Sequence, residues 1–159
     1  MSDVLQAIYR GDTEEAERLA TGRELDVFEA AALGRIDRLR ELLDEKPARA
    51  NAFGDDGFHP LGLACFFGHL EEARLLLDRG AEVNALSRNE HIQTAAIHAA
   101  AASEGKDEAT RYELVKLALE HDADPDLRQG VGDFRAIDAA RQNGDSRIEQ
   151  LLLEHGATS

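Results

Sequence analysis

Six histidines, one cysteine and many adjacent carboxylates are the residues of this sequence that could do chemistry. His59, His69, His91, His98, His121 and His155 offer imidazoles that bind metals or move protons near neutrality. Neither use comes with a supporting pattern, because the chain has no His-Glu-x-x-His, no Ser/His/Asp order and no dinucleotide fingerprint. Glu14-Glu15, Asp55-Asp56 and Glu71-Glu72 are paired carboxylates, but pairs this abundant read as charged surfaces rather than as an enclosed acid and base. Gly130-Val131-Gly132-Asp133-Phe134 looks superficially like a phosphate loop. It lacks the spacing, the Lys and a preceding buried strand, and reads as a turn. Cys65 alone forms neither an internal disulfide nor a multi-Cys zinc site. A reactive thiol needs exposure and a neighbouring base or cation, and Cys65 lies among small and apolar residues, so its expected role is packing. No catalytic residue, metal ligand or cofactor is therefore assigned, and a small enzyme or His-based metal-dependent protein stands as the rival reading.

The elements that carry these residues follow from composition. No apolar run approaches the ~18 to 20 residues needed to cross a bilayer, so 159 residues leave room for one domain outside the membrane. Apolar residues at 43% and charged ones at 31% describe a chain that buries a core and is not disordered. Lys and Arg number 18 against 32 Asp and Glu, a formal charge of −14, which excludes roles that depend on neutralising phosphate. Nucleic acid and anionic membrane leave the partner list. Aromatics are 5%, with no Trp, so Ala and Leu must fill the core, and both are helix formers. The first residues, Met1-Ser2-Asp3-Val4-Leu5-Gln6, show neither the basic start nor the apolar stretch of a signal peptide, and a cytoplasmic location is expected.

One phrase recurs along the chain. Leu63-Ala64-Cys65-Phe66-Phe67-Gly68 is followed by Leu70 to Asp78 and then Gly80-Ala81: a short helix pattern, a Gly break, a second helix pattern and a Gly-Ala stop. The same phrase centres on Gly34 and Gly144, and a variant runs through Ala96 to Ala101 and Glu113 to Ala123. A shortened copy holds Gly11. Five helix pairs are expected, at about 3–22, 24–52, 54–86, 90–127 and 131–157. A pair of about twenty residues cannot bury its own apolar face, so neighbours must stack into an all-α solenoid. Gly68 and Gly144 are 76 residues apart, where two periods of about 33 would give about 66. Most of the excess is assigned to an enlarged loop at 103–110, read as a tolerated surface insertion.

These residues resemble the ankyrin repeats, whose helix start reads T-P-L-H-x-A. His59-Pro60-Leu61-Gly62-Leu63-Ala64 keeps the Pro, Leu and Ala, and Gly80-Ala81-Glu82-Val83-Asn84-Ala85 is similar to the family's repeat ending. Ala95 to Ala100 and Arg135 to Ala140 are degenerate starts, and Ala50-Asn51-Ala52 and Ala123-Asp124-Pro125-Asp126 are weaker echoes of the ending. The resemblance implies an ankyrin-repeat solenoid of helix pairs joined by hairpin-like loops. It also implies that His98 joins a hydrogen-bond network between adjacent hairpins.

The same resemblance implies where a partner binds: at hairpin tips and at the two residues before each first-helix Gly. Those positions hold Tyr9 and Arg10 before Gly11, Leu33 before Gly34, and Phe66 and Phe67 before Gly68. The hairpin entering the third repeat adds Phe53, Asp55, Asp56 and Phe58, and the one entering the fifth adds Phe134. Scarce rings gathered at contact positions suggest a hot spot, although Phe66 and Phe67 packing against the next repeat is the opposing reading. The expected function is a non-catalytic protein-binding adaptor or regulator with an acidic, aromatic-centred concave face. Its partner is a protein of basic or mixed basic and apolar surface. The alternative is an acidic phosphate mimic that inhibits a basic nucleic-acid-binding protein. Polar side chains at both ends, Glu14, Glu15, Glu17 and Arg18 at the front and Arg141, Gln142, Asn143, Arg147 and Gln150 at the back, lead to the expectation of a monomer.

Overall fold

A computed structural model describes residues 2–103 and 106–159 of the chain. Among the described residues there are ten α-helices and no strand. They are α1 (Asp3–Tyr9), α2 (Thr13–Ala20), α3 (Val27–Leu33), α4 (Ile36–Glu45), α5 (Pro60–Phe66), α6 (Leu70–Asp78), α7 (Ala96–Ala101), α8 (Glu108–Glu120), α9 (Ala136–Asn143) and α10 (Ser146–Glu154). A 3-10 turn, Pro47–Asn51, follows α4.

The helices are short because polar caps open them and left-handed residues close them. Ser2 and Asp12 accept from backbone N–H groups at the starts of α1 and α2, and Asp26 and Glu29 form a reciprocal box at the start of α3. At the end of α3, Gly34 has φ +74°, and a Cβ there would lie 2.6 Å from the His69 ring. Only glycine fits both the torsion and the space.

Consecutive helices pair, and the pairs stack in two layers. The odd-numbered helices α1, α3, α5, α7 and α9 each pack on the next, and α4, α6, α8 and α10 do likewise. Alanines at matching places, Ala30, Ala64, Ala100 and Ala140, are fully buried and let the odd-numbered helices approach closely. Leu39, Leu43, Leu76, Leu114 and Leu152 fill the space between the layers. Truncating any of these leucines to Ala would cost about 2–5 kcal/mol.

Hairpin-like loops join the pairs. Each closes on itself, as Gly54 N–H to Phe58 O at 2.8 Å and Gln129 N–H to Phe134 O at 2.8 Å show, and reaches the next, as Arg88 N–H to Gly57 O at 2.7 Å and Gly130 N–H to Gln93 O at 2.9 Å show. A side-chain ladder runs beside them. Asn51 donates to Gly80 O and accepts from Glu82 N–H, Asn84 accepts from Asp124 N–H, and Asp126 accepts from Thr158 N–H. The acceptors and donors satisfied are the loose ends of the following helix pair.

Two histidines tie the hairpins together in the same way from different places in the repeat. The His98 ring accepts from Ala95 N–H at 3.0 Å and joins Leu127 O at 2.7 Å, the network role that the family resemblance implies. His59, one turn earlier in its helix, accepts from Gly62 N–H at 3.0 Å and joins Ala85 O at 3.1 Å. The His stands at one position in the third pair and at the other in the fourth, with Gly62 and Ala95 at the places it leaves, and the link is kept.

The excess of the fourth pair is only partly a loop. The expectation of loop over 103–110 is corrected at 108–110, which form the first turn of a lengthened α8, capped by Asp107. The rest of that expectation includes Glu104 and Gly105, which lie outside the described residues. The lengthened helix presents Arg111, whose guanidinium makes paired bonds of 2.8 and 2.9 Å to the buried Asp145 carboxylate at the start of α10. No described helix is long and apolar enough to cross a membrane.

Candidate functional site: an aromatic groove

The ends of α1, α3 and α5 bring three aromatic side chains and a leucine to one place. The odd-numbered helices, the inner layer, stop after about two turns, so the residues before each turn project beside those of the next pair. Tyr9, Leu33, Phe66 and Phe67 line an open groove of about 800 Å³, and Phe58 joins them from the hairpin that enters α5. Tyr9 is the hub. Its ring stacks on Phe67 with centroids 6.2 Å apart and meets the edge of Phe58 at 6.0 Å. Phe66 stands edge-on to Phe67 at 5.1 Å. These are the offset and edge geometries that aromatic quadrupoles favour.

The Tyr9 hydroxyl donates to Asp56 Oδ2 at 2.9 Å, and Asp56 Oδ1 accepts from Phe58 N–H at 3.1 Å. Burial, then the Asp56 hydrogen bond and charge, push the Tyr9 pKa far up, so its hydroxyl stays a donor. Rings in the groove are half-buried. Phe58, Phe66 and Phe67 rest their inner edges on the core and leave their other sides to the groove, so packing and exposure are both real for the same side chains.

Sequence-predicted residues therefore divide. Tyr9, Arg10, Leu33, Phe58, Phe66 and Phe67 come together in the groove, and Asp56 joins through Tyr9. Asp55 is exposed on the same hairpin as Asp56. Phe53 stands apart, with its ring edge on His59 at 5.6 Å and the Arg88 guanidinium 3.9 Å above its face. Phe134, 58% exposed where the hairpin before α9 closes on Gln129, does not line the groove. Sequence reasoning missed His59, His69, Ile92 and Lys106, which do line it. The first two could have been found from the cap position of their helices, and Lys106 was hidden in the insertion.

The imidazoles and the thiol in and beneath the groove are engaged or buried. His59 and His69 lie in it with their rings committed to backbone, His69 to Ala32 O at 2.8 Å. Burial lowers the pKa of both, which keeps them neutral at pH 7. Cys65 is buried beneath, and desolvation pushes its thiol up to about 12, outside the range of a nucleophile at neutral pH. His121 and His155 each turn Nδ1 to a carbonyl of their own helix, and no group of three or more His, Cys, Asp or Glu among the described residues is placed to hold a metal ion.

Known proteins agree with the architecture. The family described as Ankyrin repeat matches residues 56–88. Ankyrin repeat and SAM domain-containing protein 6 of Mus musculus is 30% identical over 131 residues, which are 82% of this chain and 14% of that protein. Ankyrin repeat protein nuc-2 of Neurospora crassa is 28% identical over 145 residues, 90% of this chain and 12% of that protein. The human DNA-binding protein RFXANK is 36% identical over 69 residues, 43% of this chain and 26% of that protein. The chain thus spans between 12% and 26% of the length of these relatives. Helix pairs stacked in two layers, hairpins that hand hydrogen bonds to one another and the named similarities lead to one conclusion: this chain belongs to the ankyrin-repeat family.

Proposed function

We propose that the chain is a non-catalytic protein-binding module, an adaptor or regulator, whose partner seats an apolar anchor in the aromatic groove. Ankyrin repeats bind other proteins, and the observation that carries the finer reading is the convergence of Tyr9, Phe58, Phe66 and Phe67 on one open groove of about 800 Å³. Rings that are half-covered before binding and fully covered after it are the usual source of affinity at such sites, on the order of 2 kcal/mol each for the best placed. The formal charge of −14 favours a partner with basic or mixed basic and apolar surface around that anchor, drawn toward Asp55, Asp56 and the acidic helix faces. The proposal places a monomer in the cytoplasm, where a single buried thiol such as Cys65 stays reduced.

The test is a pull-down from source lysate with the wild-type chain beside a Phe66→Ala/Phe67→Ala variant, with circular dichroism as the control for folding. The expected result is a partner that the wild type retains and the folded variant loses. Retention of the same partner by the folded variant would assign binding to another face.

A further inference from the structure

The groove carries a charge pattern that the overall charge conceals. Its lining contains three charged side chains, Arg10, Glu17 and Lys106. Glu17 is taken up by Arg35. Neither Arg10 nor Lys106 has a carboxylate within ion-pair distance among the described residues, a state they share with Arg74, Arg88, Arg147 and the other lysines, whereas eleven arginines of this acidic chain are paired. Arg10 acts on Glu15 only through space.

Position sharpens the pattern. Arg10 follows Tyr9 at the end of α1. Lys106 lies in the loop before α8, and its stem runs along the turn after Phe67, where a Cβ on Gly68 would come within 2.5 Å of Lys106 Cε. Both cations therefore stand at the inter-helix turns. Asp55 and Asp56 stand at the other end, on the hairpin that enters α5. A seven-residue helix such as α5 is about 10 Å long, and the Tyr9 side chain reaches from the turn that carries Arg10 to Asp56 on the hairpin, so a ring stands between acid and base.

We infer that the segment seated in the groove is an acidic-apolar stretch of a partner protein, its apolar side chain on Phe58, Phe66 and Phe67 and an adjacent carboxylate on Arg10 and Lys106. This rests on the groove being the binding site and adds the chemistry of what it holds. Basic surface elsewhere on the partner faces the hairpin acids, so the bound segment has a fixed direction across the inner helices. A carboxylate at two cations beside apolar walls makes a charge-assisted contact stronger than a neutral one, and it rejects a lysine in the same place.

The experiment is selection from a phage-displayed library of random peptides of about twelve residues against the full chain, followed by direct binding of the selected peptides. Three proteins are compared: wild type, Arg10→Glu/Lys106→Glu, and Phe67→Ala. All the charge changes are at exposed positions. Expected are peptides with Asp or Glu close to an aromatic or aliphatic residue. They should lose about tenfold or more in affinity for the charge-reversed chain, and that chain should itself select Lys or Arg instead. Peptides rich in Lys or Arg from the wild type, or an affinity unmoved by the reversal, would overturn the charge assignment while leaving the groove in place. No selection at all, or peptides that bind Phe67→Ala as well as wild type, would overturn the groove reading itself. A molecular mass that rises with concentration, and falls back in Phe134→Ser, would assign the groove to the exposed Phe134 of a second copy and overturn the partner assignment.

Discussion

Asp122 follows α8 with φ +68°, at the place where Gly80 follows α6 and Gly156 follows α10. The left-handed conformation costs a residue with a Cβ roughly 1–2 kcal/mol, partly offset in Asp122→Gly by the greater freedom of glycine in the unfolded chain. Asp122→Gly is therefore expected to stabilise the fold by about 0.5–1 kcal/mol, measured by urea unfolding, and a loss of stability would show that the Asp122 side chain has a compensating role. The Gly-Ala stop was legible in the sequence because its glycines recur at fixed places. His59 was not, because its task belongs to another position in the neighbouring repeat, and a single ring reaching 26 residues along the chain leaves no local trace. The Asn51, Asn84 and Asp126 ladder was half legible: the repeat endings were visible, but their hydrogen-bond partners lie one repeat ahead.

At the scale of elements, the extra residues of the fourth pair become a helical turn and an anchor. Arg111 closes over the Asp145 carboxylate, which is nearly buried, so removing the cation strands a charge. Arg111→Ala is expected to cost about 3–5 kcal/mol, while Asp145→Asn/Arg111→Gln costs less than the single change. A thermal melt of the three chains checks the order, and equal losses in the single and double variants would place the cost in packing of the Arg111 stem. Composition and repeat phase predicted helices and a surface insertion here. They did not predict an ion pair between α8 and the following pair, since nothing in the spacing marks one Arg among eighteen basic residues as buried against one Asp. The groove was more legible. The family resemblance marks the residues before each first-helix Gly as contact positions, which is why Tyr9, Leu33, Phe66 and Phe67 were found. The hairpin residues Phe53 and Phe134 were read into the same surface because position in a hairpin does not tell which rings a side chain will meet: Phe58 and Phe134 close their hairpins alike, yet Phe58 meets Tyr9 and Phe134 stays exposed.

Across the whole molecule, three neutral imidazoles bind one repeat to the next. Burial holds His59, His69 and His98 below the ordinary value of 6.5, with Lys106 and Arg35 adding to the effect at His69. A depressed imidazole pKa means that the unfolded chain takes up protons which the folded chain refuses. Their contribution is complete above about pH 6.5 and is lost as pH falls through the depressed values. The midpoint of urea unfolding is expected to be flat near pH 8 and to fall below about pH 6.5, with a shallower slope in His98→Asn. Glu72, whose pKa burial raises, works in the opposite sense at lower pH: Glu72→Gln should stabilise the fold at pH 7, and the gain should vanish below the ordinary carboxylate range. A fold whose stability is unchanged between pH 8 and pH 5 would show that the histidine links are replaced by solvent without loss.

A stack of repeats in which each touches only its neighbours unfolds like a chain of dominoes, free to stop between any two members. The Tyr9 hydroxyl on Asp56 crosses 47 residues and passes over the second pair altogether. It adds coupling between first and third members, so a state with only the first pair open gives up contacts at two seams instead of one. Fraying from the amino-terminal side is thereby made cooperative over three pairs, and the groove loses Tyr9, Leu33 and the support of Phe67 together.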